Sequence, residues 1–310
     1  MPTIGFDSHR LIQGDCLDAI DEVKNGSCKL VITSPPYNIG KSYERGQNLS
    51  LEQYLAWLKP IVGKLCKKVT KDGSICWQVG NHVADGEVFP LDILTYELFK
   101  KKGFRLRNRI VWHFNFGLHS TRRLSGRYET LLWFTKSDNY TFNLDDIRVP
   151  QLYPGKRHSQ ARGDKAGSPS GNPLGKNPTD YWTFNADTAF FGEPIWDLPN
   201  VKANHPEWTE HPCQFPSELV ERCILAMTNP GDTVLDPFLG SGTTVIAAAM
   251  HQRKGIGIDL SSEYLRLSNQ RLQSLYNGTL KLRQSGLPVR RPIPGEKVAS
   301  IPDEWKAAAE

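Results

Sequence analysis

The sequence predicts an α/β fold built around a mostly parallel sheet. Three observations carry that reading. Short apolar runs that read as strands alternate with stretches whose apolar residues recur at helical spacing. One strand runs through a glycine-rich loop into a helix near the C-terminal end. And 310 residues can enclose a sizeable core without disulfide or metal support. A composition of 39% hydrophobic, 10% aromatic and 23% charged residues excludes a collagen, a coiled coil and a wholly disordered chain. No apolar run approaches the roughly 18 residues of a membrane span, and the N-terminus MPTIGFDSHRL lacks the basic-then-apolar pattern of a signal peptide. The expectation is an intracellular, cytoplasmic protein.

The elements follow in order. Lys29–Thr33 reads as a strand that runs into Ser34-Pro35-Pro36-Tyr37, where two prolines forbid both helix and central strand. Leu51, Tyr54, Leu55, Leu58, Ile61, Val62 and Leu65 predict a helix over 51–69. Asp72-Gly73 marks a turn before a strand at Ser74–Val79. A helix over Leu91–Lys101 ends near Gly103, and Phe104–Phe114 and Glu129–Phe134 read as strands. Between Lys136 and His211 the periodicity dissolves, and Pro154–Asp180 is rich in Gly, Pro, Ser, Asn and basic residues. Such a stretch is either a linker or an inserted recognition region. The α/β pattern resumes with helix Ser217–Thr228, strand Thr233–Leu235, helix Thr243–His251, strand Gly255–Asp259 and helix Ser261–Tyr276. From Leu282 the chain is Pro-rich and basic, and reads as an extended arm.

Six cysteines form no CxxC pair, so neither a zinc ribbon nor a thioredoxin-like site is indicated, and free thiols are expected. His205, His211 and Cys213 match no standard ligand spacing, and no metal is expected.

The net charge of +5 is unevenly spread. Residues 100–127 hold nine of the 38 basic residues and no Asp or Glu, which leaves 29 basic against 33 acidic residues elsewhere. The same segment holds Trp112, His113, Phe114, Phe116 and His119, and Tyr128 follows directly. A basic segment is often no more than a solvated face. Interleaved with aromatics it also suits a phosphate backbone and unstacked bases, with Arg105, Arg107, Arg109, Arg122, Arg123 and Arg127 as candidates. Lys156 and Arg157 add two more in the irregular region.

Two motifs carry chemistry. In Val234-Leu-Asp-Pro-Phe-Leu-Gly-Ser-Gly-Thr-Thr244 a strand ends at Asp236, Gly240 and Gly242 let a ligand approach the backbone, and a helix starts at Thr243. Asp259, at the tip of the next strand, can accept from a ribose diol. The pattern marks a nucleoside-cofactor site but does not separate NAD from S-adenosylmethionine. The full Gly-x4-Gly-Lys-Ser/Thr motif is absent, since Pro35 stands where its first glycine would precede Gly40-Lys41-Ser42, and this argues against a nucleoside triphosphatase. In the second motif, Pro35 and Pro36 stiffen a corner that presents two acceptors, Ser34 Oγ and the Pro35 carbonyl, beside the ring of Tyr37. Two acceptors and a stacking face suit an exocyclic amino group on a planar ring.

With these motifs the chain resembles the DNA amino-methyltransferases of the permuted β class, in which a (D/N/S)PPY element comes early and a DPFxGSGTT loop late. Gly14-Asp15-Cys16-Leu17 resembles the family element that meets the cofactor adenine. Arg127–Lys136 resembles the strand beside the target base, and His211-Pro-Cys-Gln-Phe-Pro216 the segment that helps hold the methionine end. The resemblance covers roughly residues 14–275 and implies a Rossmann-like methyltransferase fold with a seven-stranded sheet. It implies a catalytic half over 1–136, a target-recognition insertion over 137–206, a cofactor-binding half over 207–280 and an extended tail over 281–310.

S-adenosyl-L-methionine is the implied cofactor, held by Asp15, Cys16, Gln214, Pro216, Asp236, Phe238, Gly240, Ser241, Gly242, Thr243 and Asp259. Ser34, Pro35, Pro36 and Tyr37 are the implied catalytic element, acting on a base flipped out of duplex DNA. Pro212-Cys213-Gln214 resembles the nucleophile element of carbon-5 cytosine methyltransferases, but there the cysteine follows the cofactor loop, whereas Cys213 precedes it. Serine before Pro-Pro-Tyr goes in the family mostly with cytosine N4, aspartate and asparagine with adenine N6, so cytosine is expected and adenine is the alternative. An RNA or protein-amide methyltransferase and a non-catalytic nucleic-acid module are more remote readings. The resemblance leaves open a homodimer and a cognate restriction endonuclease acting on the same site.

Overall fold

The computed structural model describes residues 5–38, 49–114, 119–151, 153, 155–159, 163–183, 201 and 205–283. Phe116, Pro154 and the basic tail from residue 284 onward lie outside the described residues.

Eight strands form one sheet: β1 (Arg10–Gln13), β2 (Cys28–Thr33), β3 (Val69–Val79), β6 (Arg105–His113), β7 (Tyr128–Thr135), β8 (Tyr181–Thr183), β9 (Thr233–Asp236) and β10 (Lys254–Asp259). Their order is β1-β10-β9-β2-β3-β7-β6-β8. All neighbours pair in parallel except β7, which runs antiparallel to both β3 and β6. The expected seven strands are all present. The eighth, β8, comes from the irregular region and pairs with the edge strand β6.

Six helices are α1 (Cys16–Ala19), α2 (Leu51–Lys68), α3 (Leu91–Lys100), α4 (Ser217–Met227), α5 (Thr243–Met250) and α6 (Ser262–Tyr276). Strand alternation sends successive side chains to opposite layers. Val31, Ile75 and Trp77 pack with Tyr54, Leu58 and Phe99 of α2 and α3, whereas Leu30, Ile32 and Cys76 pack with Leu219, Cys223 and Ala247 of α4 and α5. β2 is buried along its whole length, as a central parallel strand covered on both faces must be. Ser50 and Gln53 close a capping box at the start of α2.

One local expectation changes, and other local features were not foreseen. Asp72-Gly73 is not a turn ahead of a strand but lies within β3, where the register slips between Cys28↔Val69 and Leu30↔Ser74. The slip is held because Asp72 pairs at 2.5 Å with Lys29, a cation buried in the central strand. A hairpin, β4 (Asn81–Ala84) and β5 (Glu87–Pro90), turns on Asp85 and Gly86 at φ +50° and +82°, the mirror-turn chemistry that Asp-Gly favours. Described parts of the region 137–206 pack on the core: Ile147 and Trp182 are buried in the α4 layer, and Asn143 bonds the carbonyls of Leu225 and Thr228. At residue 283 the Arg283 side chain, 5% exposed, is paired with Glu218.

Candidate active site

β2 and β9 are adjacent parallel strands in the middle of the sheet. β2 leads through α2 to β3 on one side, and β9 through α5 to β10 on the other, so the connections part between them. Open α/β sheets bind ligands at the carboxyl ends of such a strand pair. Ser34–Tyr37 follow β2, and Pro237–Gly242 follow β9. Both loops line one cavity of about 1140 Å³, ample for a nucleoside cofactor and a base together.

The diproline corner is braced at several points. Thr33 Oγ1, at the end of β2, donates to Asp236 Oδ1 at 2.5 Å. Tyr54 Oη of α2 donates to the Pro36 carbonyl at 2.7 Å. Asn38, at φ +57°, exchanges two hydrogen bonds with Leu49. Tyr37 Oη donates to Glu129 Oε2 at 3.1 Å, and Ser34 Oγ lies 2.8 Å from Tyr37 Oη.

The glycine loop is fixed from beneath by α6, where Ser268 Oγ donates to the Gly240 carbonyl and Arg271 Nη1 to the Ser241 carbonyl at 2.6 Å. Gly240 and Gly242 adopt φ +54° and +85°, the left-handed region that glycine enters without penalty. A Cβ at Gly240 would stand 2.8 Å from His211 Nε2, and one at Gly242 would stand 2.7 Å from Ser268 Cβ. Burial pushes the His211 pKa down to about 4, so the imidazole beside the loop is neutral at neutral pH. Asp259 accepts from Gly240 N and Ser261 N, each at 2.8 Å, which fixes both carboxylate oxygens while leaving each lone-pair capacity. Burial raises its pKa above the usual carboxylate value. Asp15 caps α1 by accepting from Leu17 N, and the Gly14 N–H meets the Asp259 carbonyl, so the Gly14–Leu17 element sits beside the ribose-type acid.

Of the residues expected around a cofactor, Asp15, Cys16, Gln214, Phe238, Gly240, Ser241, Thr243 and Asp259 line the cavity. Asp236 does not, because it is fully buried behind the wall, where it accepts from Thr33, Phe238 N and Thr244. Pro216 and Gly242 also stand behind the wall, as the N-caps of α4 and α5. Gln214 faces the cavity, but its amide is bonded to Thr209 and the Glu207 carbonyl. Cys213 is an exposed thiol on the rim.

Arg105 and Arg107 are paired with Asp138, and Arg109 with Asp92 at 2.5 Å. The segment holds no acid in sequence but meets two in space, so three of the eight expected phosphate ligands are held in ion pairs within the fold. Arg123 lines the cavity, Arg122 and Arg127 flank it on the same loop, and Lys156 lines a smaller cavity of 430 Å³ in the insertion with Arg148 and Lys176. Arg157 donates to the Gly167 carbonyl.

Sequence reasoning missed Trp57, Gln78 and Glu129, which all line the cavity. Glu129 was visible as the one acid heading the apolar run of β7, and Trp57 as an aromatic lying off the apolar stripe assigned to α2.

The cavity wall also bears on the choice of cofactor that the motif left open. Among the described residues Asp15, Glu129, Asp259 and Glu263 face it with Arg123, and the rings of Trp57 and Phe238 stand 5.9 Å apart in the wall. Carboxylates and aromatic faces favour a cation, whereas a dinucleotide would bring two phosphates into this field. A nucleoside bearing a sulfonium suits this field better than one bearing a pyrophosphate.

The family model described as DNA methylase, of the N6/N4 type, matches residues 28–270. This chain belongs to the DNA methylase family. The methylase is 42% identical over 263 residues to the Type II methyltransferase M.BglII of Bacillus subtilis, covering 84% of this chain and 68% of that protein. It is 31% identical over 271 residues to the DNA adenine methyltransferase YhdJ of Escherichia coli K12, covering 86% and 84%. Among solved structures it resembles TTHA0409 of Thermus thermophilus complexed with S-adenosyl-L-methionine, with TM-score 0.58, 26% identity and coverage of 88% and 96%. The cytosine-N4-specific PvuII DNA methyltransferase shares the fold at TM-score 0.61 and 21% identity, covering 88% and 94%. The methylase is thus an amino-methyltransferase of DNA, of a family whose methyl donor is S-adenosyl-L-methionine.

Proposed function

We propose that this methylase modifies the N4 amino group of cytosine in duplex DNA, with the target base turned out of the helix into the cavity between Tyr37 and Phe238. The observation that carries the reading is the meeting of two loops: the Ser34-Pro35 acceptor pair and the Gly240 loop open onto one acidic, aromatic-walled cavity. The bound cofactor supplies an electrophilic methyl group on a sulfonium. The protein's part is to aim the nucleophile.

Ser34 Oγ and the Pro35 carbonyl accept the two amino hydrogens, which draws the nitrogen lone pair out of conjugation and turns it towards the methyl group. Tyr37 stacks on the base, and its hydroxyl bonds keep the ring from rotating. Asp259 and Asp15 hold the nucleoside, and the Gly240–Thr243 turn holds the amino-acid end. Catalysis then rests on orientation and water exclusion, since a serine hydroxyl is a poor base. The paired Pro35 and Pro36 make that orientation inexpensive in entropy.

Cytosine is chosen on Ser34, the residue that in this family goes mostly with the N4 amino group. The insertion 137–206, with Lys156 and Arg157, is proposed to read the flanking sequence, and a restriction endonuclease of the same site is the proposed companion activity. Incubation with duplex DNA and labelled cofactor, followed by digestion to nucleosides, tests the choice of base. Labelled N4-methylcytosine is expected, and labelled N6-methyladenine alone would overturn the assignment.

A further inference from the structure

Gln78, Glu129, Tyr37 and Ser34 form one hydrogen-bonded line that ends in the cavity. Gln78 Nε2 donates to Glu129 Oε2 at 2.6 Å, Tyr37 Oη donates to the same oxygen at 3.1 Å, and Ser34 Oγ lies 2.8 Å from Tyr37 Oη. A phenol has one hydrogen, and Tyr37 gives it to the carboxylate. The Ser34 hydroxyl is therefore the donor to Tyr37. Its lone pairs are left to accept from a substrate, and its hydrogen already points along the line towards Glu129.

Methylation of an amino group leaves a proton to dispose of, and neither serine nor a backbone carbonyl holds one well. The other cavity carboxylates lie elsewhere: Asp15 at α1, Asp259 at the tip of β10 and Glu263 on α6. Of these four carboxylates, Glu129 is bonded to the Ser-Pro-Pro-Tyr loop, through the hydroxyls of Tyr37 and Ser34.

We propose that Glu129 is a positioning residue that also takes up the amine's proton through Tyr37 and Ser34. The inference rests on the amino-methylation reading above. As the nitrogen lone pair forms the N–C bond, the electrons of the C–S bond pass to sulfur, leaving a neutral thioether. The nitrogen's proton moves to Ser34 Oγ, the serine hydrogen to Tyr37 Oη, and the tyrosine hydrogen to Glu129 Oε2. The sulfonium charge and the carboxylate charge disappear together, so the step balances without another reactant.

Glu129→Gln keeps an oxygen that can accept from both Tyr37 and Gln78, yet cannot take up a proton. Its kcat on duplex DNA should fall by about 10²–10⁴-fold, the range typical of a lost acid–base group. Cofactor Kd, KM for DNA and thermal midpoint should remain those of the unaltered protein. Eversion of the base, read without cofactor from the fluorescence of 2-aminopurine at the target position, should also be unchanged. Tyr37→Phe keeps the ring and cuts the line, and the double variant Tyr37→Phe/Glu129→Gln should be no slower than the slower single one. A Glu129→Gln protein with normal kcat, losses that multiply in the double variant, or eversion lost along with turnover would each overturn the proposal. If the unaltered chain methylates no DNA amino group, it is the amino-methylation reading that falls instead.

Discussion

Ser34 owes its place to its neighbours. Two prolines deny the chain both helix and ladder, so β2 must stop at Thr33 and the next side chain emerges at the strand tip. Ser34→Ala removes one of the two acceptors proposed to face the amino group and leaves the glycine loop untouched. Turnover should drop about 10²–10³-fold, the cost of deleting one oriented polar group in a transition state, with no change in cofactor affinity. Single-turnover rates and calorimetric titration of the cofactor measure the two quantities, and a loss of affinity matching the loss of rate would place Ser34 in the cofactor site instead. Gly240 and Gly242 are equally local in origin, because their left-handed torsions suit glycine alone at a turn this close to His211 and Ser268. Glu129 is the contrary case. Its role depends on Tyr37, 92 positions away in the chain, and nothing local announces the pairing.

At the scale of elements, Asp236 shows how a motif residue acts as a strut. It ends β9 and ties three pieces together: β2 through Thr33, α5 through Thr244, and its own loop through Phe238 N. Burial raises its pKa from the ordinary 3.8 to about 6, against the pull of the Thr244 and Thr33 hydroxyls. A carboxyl that holds its proton more tightly when folded contributes fully below pH 3.8, loses that contribution as pH rises to about 6, and is level above it. At 1.36 kcal/mol per pH unit the change amounts to about 3 kcal/mol. Urea unfolding between pH 4 and 7 should therefore show the natural protein losing stability relative to Asp236→Asn as pH rises to 6. A constant difference between the two would contradict the buried-acid account. The same scale explains the basic stretch 100–127: β6 carries Arg105, Arg107 and Arg109 past Asp138 and Asp92, which lie outside the stretch in sequence.

For the whole molecule, charge is divided between an acidic cavity and a basic rim. In the proposed reading a neutral base enters the cavity, while the phosphates stay outside it, near Arg122 and Arg123. Among the described residues Arg122 and Arg123 have no acidic partner, whereas Arg105 has Asp138. Each phosphate contact releases condensed counterions, so Arg123→Ala should weaken DNA binding and reduce the slope of log affinity against log salt by about 1. Arg105→Ala should leave that slope alone. Equal effects from the two variants would mean that the ion pair with Asp138 opens on DNA.

Sequence alone determined what is local in its cause: the strand and helix periods of β2, α2, α4 and α6, the stiff corner at Pro35-Pro36, the glycine torsions at 240 and 242, and through the order of the motifs the family itself. It could not show that Asp236 would face inward as a brace, that Asp72 would sit in a slipped strand beside Lys29, that three arginines would be paired, or that Glu129 would stand behind Tyr37. Those were decided only when the sheet brought β2 beside β9, and β7 beside β3. Hydrogen bonds and ion pairs act over a few ångströms, and which groups come that close depends on strand order and register, set by burial of the whole core and not by any short stretch of chain.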